Sequence, residues 1–301
     1  EVAFYGGSFT ALPWNQQQPY LQAVQPFITS GSIKSIRIST RPDAIDEPGI
    51  NRLADYGVRT IELGVQSLDR DVLRASGRDY DISLVGDVSK LIKQKGFMLG
   101  HQLMIGLPGS DLAKELETLE QVIRIGPDLA RIYPTLVLRG TTLARLYKDG
   151  SYRPLLLQEA VQTALLMLTQ LEKAGIKVIR MGLQPTPELQ RPGEILAGPF
   201  HPGFGELVLS ELFQWQAILL INRFQEREVT NRLKLYVNQR DLSKMIGQNR
   251  RNLRNLKARF QLEQLEVKGI EGSEQAWIGV GQWHREVPQL VLSRQSFLCL
   301  E

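Results

Sequence analysis

Cysteine is nearly absent from this 301-residue chain, whose one cysteine, Cys299, lies two residues from the carboxyl end. A single thiol can form no internal disulfide and cannot supply a metal site built from several thiolates. No apolar run approaches the roughly 20 residues that span a bilayer, and the first residues lack the features of a signal peptide. These absences predict a cytoplasmic protein with no membrane partner.

The composition is that of a folded protein with room for about two domains. Apolar residues make up 43% of the chain and charged residues 23%, which excludes the disordered, collagen-like and membrane classes. The chain starts at Glu1 and runs directly into the strand-like Val2 to Tyr5, with no polar leader. An exposed strand edge of this kind needs a pairing partner. We therefore expect the sequence to be a fragment that lacks a preceding segment.

Short β-branched runs alternate with helical segments over the first 185 residues. The strand candidates are Val2 to Tyr5, Ser35 to Ser39, Thr60 to Val65, Met98 to Ile105, Ala130 to Leu138 and Lys177 to Met181. The helix candidates are Gln16 to Thr29, Ile45 to Tyr56, Asp69 to Ala75, Ser83 to Gln94, Leu112 to Ile125 and Leu155 to Ala174. Repeated units of this length predict an α/β fold with a parallel sheet, either open or closed. We favour an incomplete barrel over residues 1–190.

Glycine and polar residues stand just past the end of each predicted strand. The motifs are Gly6-Gly7-Ser8, Ser39-Thr40-Arg41-Pro42, Gly64-Val65-Gln66-Ser67, Gly106-Leu107-Pro108-Gly109, Arg139-Gly140-Thr141 and Gly182-Leu183-Gln184-Pro185. Tight turns alone would explain any one of them. Their repetition predicts a ligand at the carboxyl ends of the strands, where parallel sheets and barrels bind ligands.

The segment 191–230 contains a loop rich in proline and glycine, from Arg191 to Gly205, followed by a helix from Glu206 to Arg227. We interpret it as a domain boundary or a loop over the binding site. His201, inside this loop, is a candidate base or substrate contact, although a lone loop histidine is more often solvated.

The last segment, 231–301, forms a small α+β unit with a strand, helix, turn, helix and strand in order. Between Arg232 and Lys268 there are ten Lys or Arg and three Asp or Glu, a net charge of +7, whereas the whole chain carries +4. The rest of the chain therefore sums to −3. Concentrated positive charge favours a polyanion partner, and a solvated basic helix face is the alternative.

Six blocks in order carry a resemblance to the radical S-adenosylmethionine (SAM) enzymes. They are FYGGSF, ISTRPD, ELGVQS, VLRASGRDY, GHQLMIGLPG and RIYPTLVLRGT. Within that superfamily the chain resembles the branch that contains the Elongator catalytic subunit and its bacterial relatives, and more distantly oxygen-independent coproporphyrinogen oxidase. The resemblance covers residues 1 to about 185. It implies a partial or full α/β barrel that binds a 4Fe-4S cluster and SAM and needs an electron donor for the cluster.

In that family the cluster is held by a CxxxCxxC motif that precedes the FYGGSF strand, and cleavage of SAM gives a 5′-deoxyadenosyl radical. This sequence lacks the three cysteines. We expect that they were lost by truncation and that the chain is inactive as given. The alternative is a natural homologue without a cluster.

The resemblance also assigns roles to individual residues. Gly6, Gly7 and Ser8 match the motif that receives the methionine amino group of SAM, where side chains would block the approach. The third position is Ser8 rather than the Glu of the wider family. These three residues are predicted to bind the cofactor through the backbone and one hydroxyl.

Further cofactor contacts are implied along the chain. Gln66 matches a residue that reaches the ribose or methionine end, and Arg78 one that clamps the methionine carboxylate through two hydrogen bonds. Ile105 and Gly106 match the motif that lies along the adenine. Gln102 occupies a position where some relatives carry Asp, and a ribose contact is assigned to it.

The resemblance does not extend over the whole chain. No acetyl-coenzyme A loop follows residue 200, so the resemblance does not imply that this chain acetylates a wobble uridine. The basic unit is similar to a KH module with GQNR in place of GxxG, which predicts RNA contacts at Arg250, Arg251 and Arg254. Arg139 and His201 are the candidates for the lid or substrate contacts.

The expected function is therefore a radical SAM enzyme with an unidentified substrate, RNA or tRNA being favoured. The alternatives are a non-catalytic nucleic-acid-binding protein on a barrel scaffold and a barrel enzyme for a phosphorylated substrate.

Overall fold

Six parallel strands form the sheet of the first of two structural units. The computed structural model describes residues 1–78 and 80–300, and the first unit covers Glu1–Pro202. Its strands are β1 (Val2–Phe4), β2 (Ile36–Thr40), β3 (Val58–Gln66), β4 (Met98–Ile105), β5 (Leu129–Pro134), β6 (Val137–Leu138), β7 (Lys177–Met181) and β8 (Ile195–Ala197). The sheet order is β1-β2-β3-β4-β5-β7, with every neighbouring pair parallel. This curled half-barrel confirms the predicted α/β class.

In the described part of this unit, seven α-helices connect these strands: α1 (Trp14–Thr29), α2 (Glu47–Asp55), α3 (Arg70–Ala75), α4 (Ser83–Gln94), α5 (Leu112–Ile125), α6 (Thr142–Lys148) and α7 (Leu157–Lys173). Their ends follow local sequence signals. The side chains of Asp46, Asp69 and Asp111 each accept a hydrogen bond from the first turn of α2, α3 and α5. Gly126 ends α5 in the left-handed conformation that glycine adopts most easily.

Strand β5 is shorter than the sequence predicts. It ends at Pro134, after which the Thr135 amide donates to the Ile105 carbonyl at 2.9 Å and the chain leaves the sheet. Val137 and Leu138 instead form a two-stranded antiparallel ribbon with β8. Proline offers no amide for a further ladder bond, which is consistent with the sheet pairing ending there. The sequence prediction of one strand to Leu138 was wrong.

The second unit starts at Gly203 and carries its own sheet. Its elements are α8 (Phe204–Gln225), β9 (Arg232–Asn238), α9 (Leu242–Ile246), α10 (Arg251–Arg259), β10 (Gln264–Ile270), β11 (Trp277–Gln282), β12 (Leu290–Ser293) and α11 (Arg294–Leu298). The sheet order is β10-β9-β11-β12, in which β10 is parallel to β9 and the other pairs are antiparallel. The strand, helix, turn, helix and strand order is present, and β11, β12 and α11 were not predicted.

Helix α8 forms part of the core of this second unit. It packs against α9, β11 and β12 and buries Phe204, Phe213 and Phe224. By length and composition it is the one described helix that could cross a membrane, but more than half of that window is buried in the protein. The sequence divides the chain into 1–190, 191–230 and 231–301. The structure differs because β8 pairs within the first unit and α8 packs within the second.

Candidate functional site

A cavity of about 590 Å³ opens at the carboxyl ends of the parallel strands. It is lined by Tyr5, Gly6, Gly7, Ser8, Ser39, Thr40, Arg41, Gly64, Gln66, Arg78, Gln102, Arg131, Tyr133, Arg180, Leu183, Gln184, Thr186 and Leu189. These residues come from the six strands of the sheet and from the segments that follow them. Its size is in the usual range for ligand sites. The predicted binding edge of the sheet is therefore a real cavity.

Glu62, in the middle of β3, holds the floor of the cavity together. Its side chain is 1% exposed, and Oε1 accepts hydrogen bonds from Arg37 Nη1 at 2.7 Å and Arg131 Nη2 at 2.9 Å. Gln102 Nε2 donates to Oε2 at 2.9 Å. Burial alone would raise the pKa of Glu62, but the hydrogen bonds from Arg131, Arg37 and Gln102 outweigh it and hold the pKa below its usual value. Glu62 is therefore a carboxylate anchor for both arginines.

Tyr5 joins this network from the end of β1. Its hydroxyl donates to Glu62 Oε1 at 3.3 Å and accepts a hydrogen bond from Arg131 Nη2. The Arg131 guanidinium carbon also lies 4.9 Å from the centre of the Tyr5 ring. Half of the Tyr5 surface remains exposed. The contact with Arg131 fixes the ring beside the Gly6-Gly7 turn.

The Gly6-Gly7 turn has the open surroundings that a backbone binding site requires. Gly6 has φ +106°, and a Cβ atom built on either glycine would meet no other atom within 4 Å. Both residues and Ser8 line the cavity. The protein itself therefore leaves this backbone accessible.

Gln66 ends β3 in a backbone conformation that few residues adopt. Its φ is +66°, and the β3–β4 pairing shifts register between Leu63 and Gln66. The Tyr80 hydroxyl donates to the neighbouring Val65 carbonyl at 2.8 Å, which supports this conformation. Strained backbone of this kind is concentrated at functional sites. Gln66 is one of the residues that line the cavity, and its contact with SAM stays a prediction.

Arg78 reaches the same cavity from the segment after α3. Its amide donates to the Leu73 carbonyl at 2.9 Å, which extends the end of the helix. Among residues 1–78 and 80–300, its buried Nη1 atom has no hydrogen-bond partner. Burial lowers the pKa of Arg78. A buried guanidinium nitrogen without a partner is suited to an anionic ligand.

Gln102 lines the cavity, but the protein already uses its amide donor group. Nε2 donates to Ser39 Oγ at 3.0 Å as well as to Glu62. The side chain therefore positions the floor of the cavity.

Ile105 and Gly106 do not line this cavity. Ile105 is fully buried, and the Gly106 amide donates to Glu115 Oε1 at 2.6 Å. Gly106 instead borders a separate cavity between α5 and α7, where a Cβ atom would lie 2.9 Å from Leu155 Cγ. In this structure the Gly106 amide is committed to Glu115, so the adenine contact stays a prediction.

The two candidates for the lid also lie outside the residues that line the cavity. Arg139, after β6, donates from Nε to the Gly193 carbonyl at 2.8 Å, and its amide donates to the Glu194 carbonyl at 2.8 Å. His201 is half-buried after β8. Arg139 therefore holds the segment before β8 in place.

The three arginines that are predicted to contact RNA lie in the second unit and differ in their surroundings. Arg250 and Arg254 are exposed, and Arg250 follows Asn249 with both residues at positive φ. Arg251 instead pairs with Glu211, at 3.2 Å, and the Glu211 side chain is 7% exposed. Arg251 therefore has a structural partner within the unit.

The described part of the chain contains no group of three or more His, Cys, Asp or Glu side chains able to hold a metal ion. Cys299 is exposed in the second unit. These residues do not form a site for a 4Fe-4S cluster.

Sequence reasoning did not identify Glu62, Arg37, Arg131 or Arg180. A signal was present, because charged residues at buried strand positions require a partner. Glu62 stands in TIELGVQ, and Arg37 and Arg131 stand in IRIST and LARIYP. The sequence does not indicate which of them meet, because the contacts join residues 25 and 69 positions apart.

Two family models match the chain. "Radical SAM superfamily" matches residues 1–122, and "Radical_SAM C-terminal domain" matches residues 127–214. The residues after 214 lie outside both matches.

Curated relatives match the same region. The chain is 38% identical over 120 residues to the tRNA uridine(34) acetyltransferase of Dehalococcoides mccartyi, which is 39% of this chain and 26% of that protein. It is 30% identical over 173 residues to human Elongator complex protein 3, which is 51% of this chain and 32% of the relative. The chain thus spans about a quarter to a third of these relatives.

A solved structure has a similar fold. It is the archaeal Methanocaldococcus infernus Elp3 with an N-terminal deletion, with a TM-score of 0.61 and 25% identity. The alignment covers 70% of this chain and 53% of the archaeal one.

Proposed function

The chain belongs to the radical SAM superfamily, and on that premise we propose that its cavity binds SAM beside Gly6, Gln66 and Arg78. The observation that carries this proposal is the buried Nη1 atom of Arg78, which has no partner among the described residues. The methionine carboxylate of SAM would supply the missing acceptor. The open Gly6-Gly7 backbone would accept the amino group, since no atom of the protein occupies that space.

SAM supplies the 5′-deoxyadenosyl radical in this superfamily, and the residues of this chain orient it. Arg78 would fix the carboxylate, and Gln66 would hold the ribose or methionine end through an amide that both donates and accepts. The Glu62 network keeps Tyr5 and Arg131 in place at the floor. Among the described residues no group of His, Cys, Asp or Glu is suited to hold the cluster.

RNA, and tRNA in particular, is the substrate class that we propose. The matched relatives from Dehalococcoides mccartyi and Methanocaldococcus jannaschii are named as acetyltransferases of tRNA uridine 34. The basic second unit offers exposed Arg250 and Arg254 and the net charge of +7 between Arg232 and Lys268. Such a surface attracts nucleic-acid phosphates.

Equilibrium binding of SAM to the purified chain tests the proposal. We expect Arg78→Gln to weaken SAM binding tenfold or more and Arg78→Lys to recover little of the loss, because lysine cannot donate two parallel hydrogen bonds. Arg74→Gln is the matched control, since Arg74 is exposed and pairs at 3.8 Å with the exposed Asp71.

Equal SAM affinity in wild type and Arg78→Gln would refute the proposed site. RNA retention by a chain that binds no SAM would favour the alternative, a non-catalytic nucleic-acid-binding protein.

A further inference from the structure

Arg180 lies on β7, the edge strand of the sheet opposite to β1, which the Gly6-Gly7 turn follows. It lines the cavity together with Gln184, in the segment that follows β7. Strands β4 and β5 separate β7 from β3, where Gln66 lies. At about 4.8 Å for each strand spacing, the path along the curled sheet from β3 to β7 is roughly 14 Å. The proposed SAM contacts therefore leave the β7 end of the cavity without an assigned ligand.

The charges that line the cavity are not evenly neutralised. Arg41 pairs with Asp43 at 2.6 Å, and Arg131 Nε lies 2.6 Å from Glu62 Oε2. Within the described residues, neither Arg78 nor Arg180 forms an ion pair with a carboxylate. The cavity thus has two cationic positions without a counter-charge. One of them is assigned to SAM, and the second, Arg180, is partly exposed and open to another anion.

The surroundings of Arg180 supply hydrogen-bond donors. Its Nε donates to the Gly182 carbonyl at 3.2 Å, which fixes the side chain and leaves both Nη groups as a fork. Tyr133 Oη accepts from Arg131 Nη1 at 3.3 Å, so its own proton can be donated to a ligand. Gln184 and Thr186, in the segment that follows β7, also line the cavity. Donors without a carboxylate among them are suited to a phosphate group.

We propose that Arg180, Tyr133 and Gln184 form a phosphate subsite for the substrate, so that the substrate is a phosphate ester. The proposal rests on the proposed function in one respect, the assignment of Arg78 to the carboxylate of SAM. The phosphate belongs either to an RNA strand or to a free nucleotide, since both present the same oxygens to an arginine fork.

Titration with uridine 5′-monophosphate and with uridine measures the contribution of the phosphate. We expect wild type to bind the monophosphate at least tenfold more tightly than uridine, because a charge-assisted pair of hydrogen bonds has about this effect. Arg180→Gln should remove most of this preference, and Arg180→Lys should keep part of it. Arg153→Gln is the matched control, because Arg153 is 80% exposed, lies outside the cavity and pairs with Glu159 at 3.7 Å.

SAM binding separates this proposal from the proposed function. Arg180→Gln should bind SAM as wild type does, and an equal loss of SAM affinity would overturn the subsite by assigning Arg180 to the cofactor. A monophosphate preference that persists in Arg180→Gln, or is absent from wild type, would also overturn it. If wild type bound no SAM but its phosphate preference still depended on Arg180, the proposed function would fail and the subsite would stand.

A 12-nucleotide oligouridylate distinguishes the two sources of phosphate. Weaker oligonucleotide binding in Arg180→Gln supports a phosphodiester of RNA as the ligand. A loss confined to the monophosphate supports a free nucleotide or another small phosphorylated substrate.

Discussion

The guanidinium of Arg131 lies along the carboxylate of Glu62, with Nε 2.6 Å from Oε2 and Nη2 donating to Oε1 at 2.9 Å. The side chains are 12% and 1% exposed, so water screens this pair little. Arg37 contacts the same carboxylate from β2 and also pairs with Glu1 at 2.6 Å. One buried carboxylate therefore joins β2, β3 and β5 beneath the cavity.

Replacing Glu62 should destabilise the first unit strongly. Glu62→Gln leaves Arg131 buried without a counter-charge, which has an expected effect of about 3 kcal/mol on the free energy of unfolding. Urea unfolding of the whole chain measures it. Asp71→Asn serves as the control, because its pair with Arg74 is more than 70% exposed on both sides and contributes close to nothing. Similar losses in the two variants would contradict a structural role for the Glu62 pair.

His101 should make the fold sensitive to acid. It is fully buried on β4, where Ser89 Oγ lies 2.9 Å from Nε2, and burial lowers its pKa from 6.5 to about 3. Below pH 6.5 the unfolded chain binds a proton that the folded chain does not, so this contribution to stability falls as the pH decreases.

Comparing wild type with His101→Gln at pH 7 and pH 5.5 isolates His101, because the other titrating groups, including Glu115 with a pKa raised by burial, are common to both proteins. Across that interval wild type should lose about 1.4 kcal/mol more than His101→Gln, which corresponds to one pH unit below 6.5. Equal pH slopes in the two proteins would show that the folded and unfolded states protonate His101 equally well, which would contradict the lowered pKa.

Replacement by alanine should affect SAM binding at Gly7 and stability at Gly106. Gly7→Ala adds a methyl group where no atom lies within 4 Å, so the free energy of unfolding should change by less than about 0.5 kcal/mol while SAM binding weakens. Gly106 has φ +73°, and an added Cβ atom would lie 2.9 Å from Leu155 Cγ. Gly106→Ala should therefore lower the free energy of unfolding by about 2 kcal/mol. Thermal unfolding and SAM titration of both variants test this. A destabilised Gly7→Ala with unchanged SAM binding would contradict the assignment.

Arg78 is expected to favour SAM binding and to destabilise the fold in the absence of ligand. Its Nη1 atom is buried without a described partner, and an unsatisfied buried donor destabilises a fold. Arg78→Gln should therefore keep or raise the free energy of unfolding, by up to about 1 kcal/mol, although it weakens SAM binding. Chemical unfolding without ligand measures this. A large loss of stability would mean that Arg78 has a structural role instead.

Because their signals are local, the sequence predicted most strands and helices of the first unit, although not α6 or β8. Asp46 and Gly126 stand beside the helix ends that they stabilise, and Met98–Ile105 is a strand in both the prediction and the structure. The early end of β5 was missed because Thr135 bonds to Ile105, 30 positions away. Pairings of this kind depend on the sheet and leave little trace in the neighbouring residues.

The sequence indicated those cavity residues that are distinguished by their backbone conformation or by the lack of a side chain. Gly6, Gly7 and Gln66 line the cavity, and a strand end that must stay open or bend sharply requires particular residues; their contacts with SAM stay predictions. The role of Glu62 needed the structure. Its three nitrogen donors, Arg37, Gln102 and Arg131, come from three other strands, and no spacing in the sequence identifies their common acceptor.

The last prediction separates RNA binding from folding in the second unit. Arg254→Ala should reduce the salt dependence of RNA affinity by about one released ion. It should leave the free energy of unfolding unchanged, because Arg254 is exposed. Arg251→Ala should instead destabilise the unit by about 1 kcal/mol, since it removes the partner of the buried Glu211.

Filter binding of a tRNA between 50 and 300 mM salt, together with urea unfolding, measures both effects. Glu211→Gln provides the matched comparison: it should reduce the effect of Arg251→Ala on stability, because the buried carboxylate is already absent. An unchanged salt dependence of RNA affinity in Arg254→Ala would contradict an RNA contact at Arg254 on α10. A salt slope that falls only in Arg251→Ala would mean that Arg251 leaves Glu211 to bind the nucleic acid.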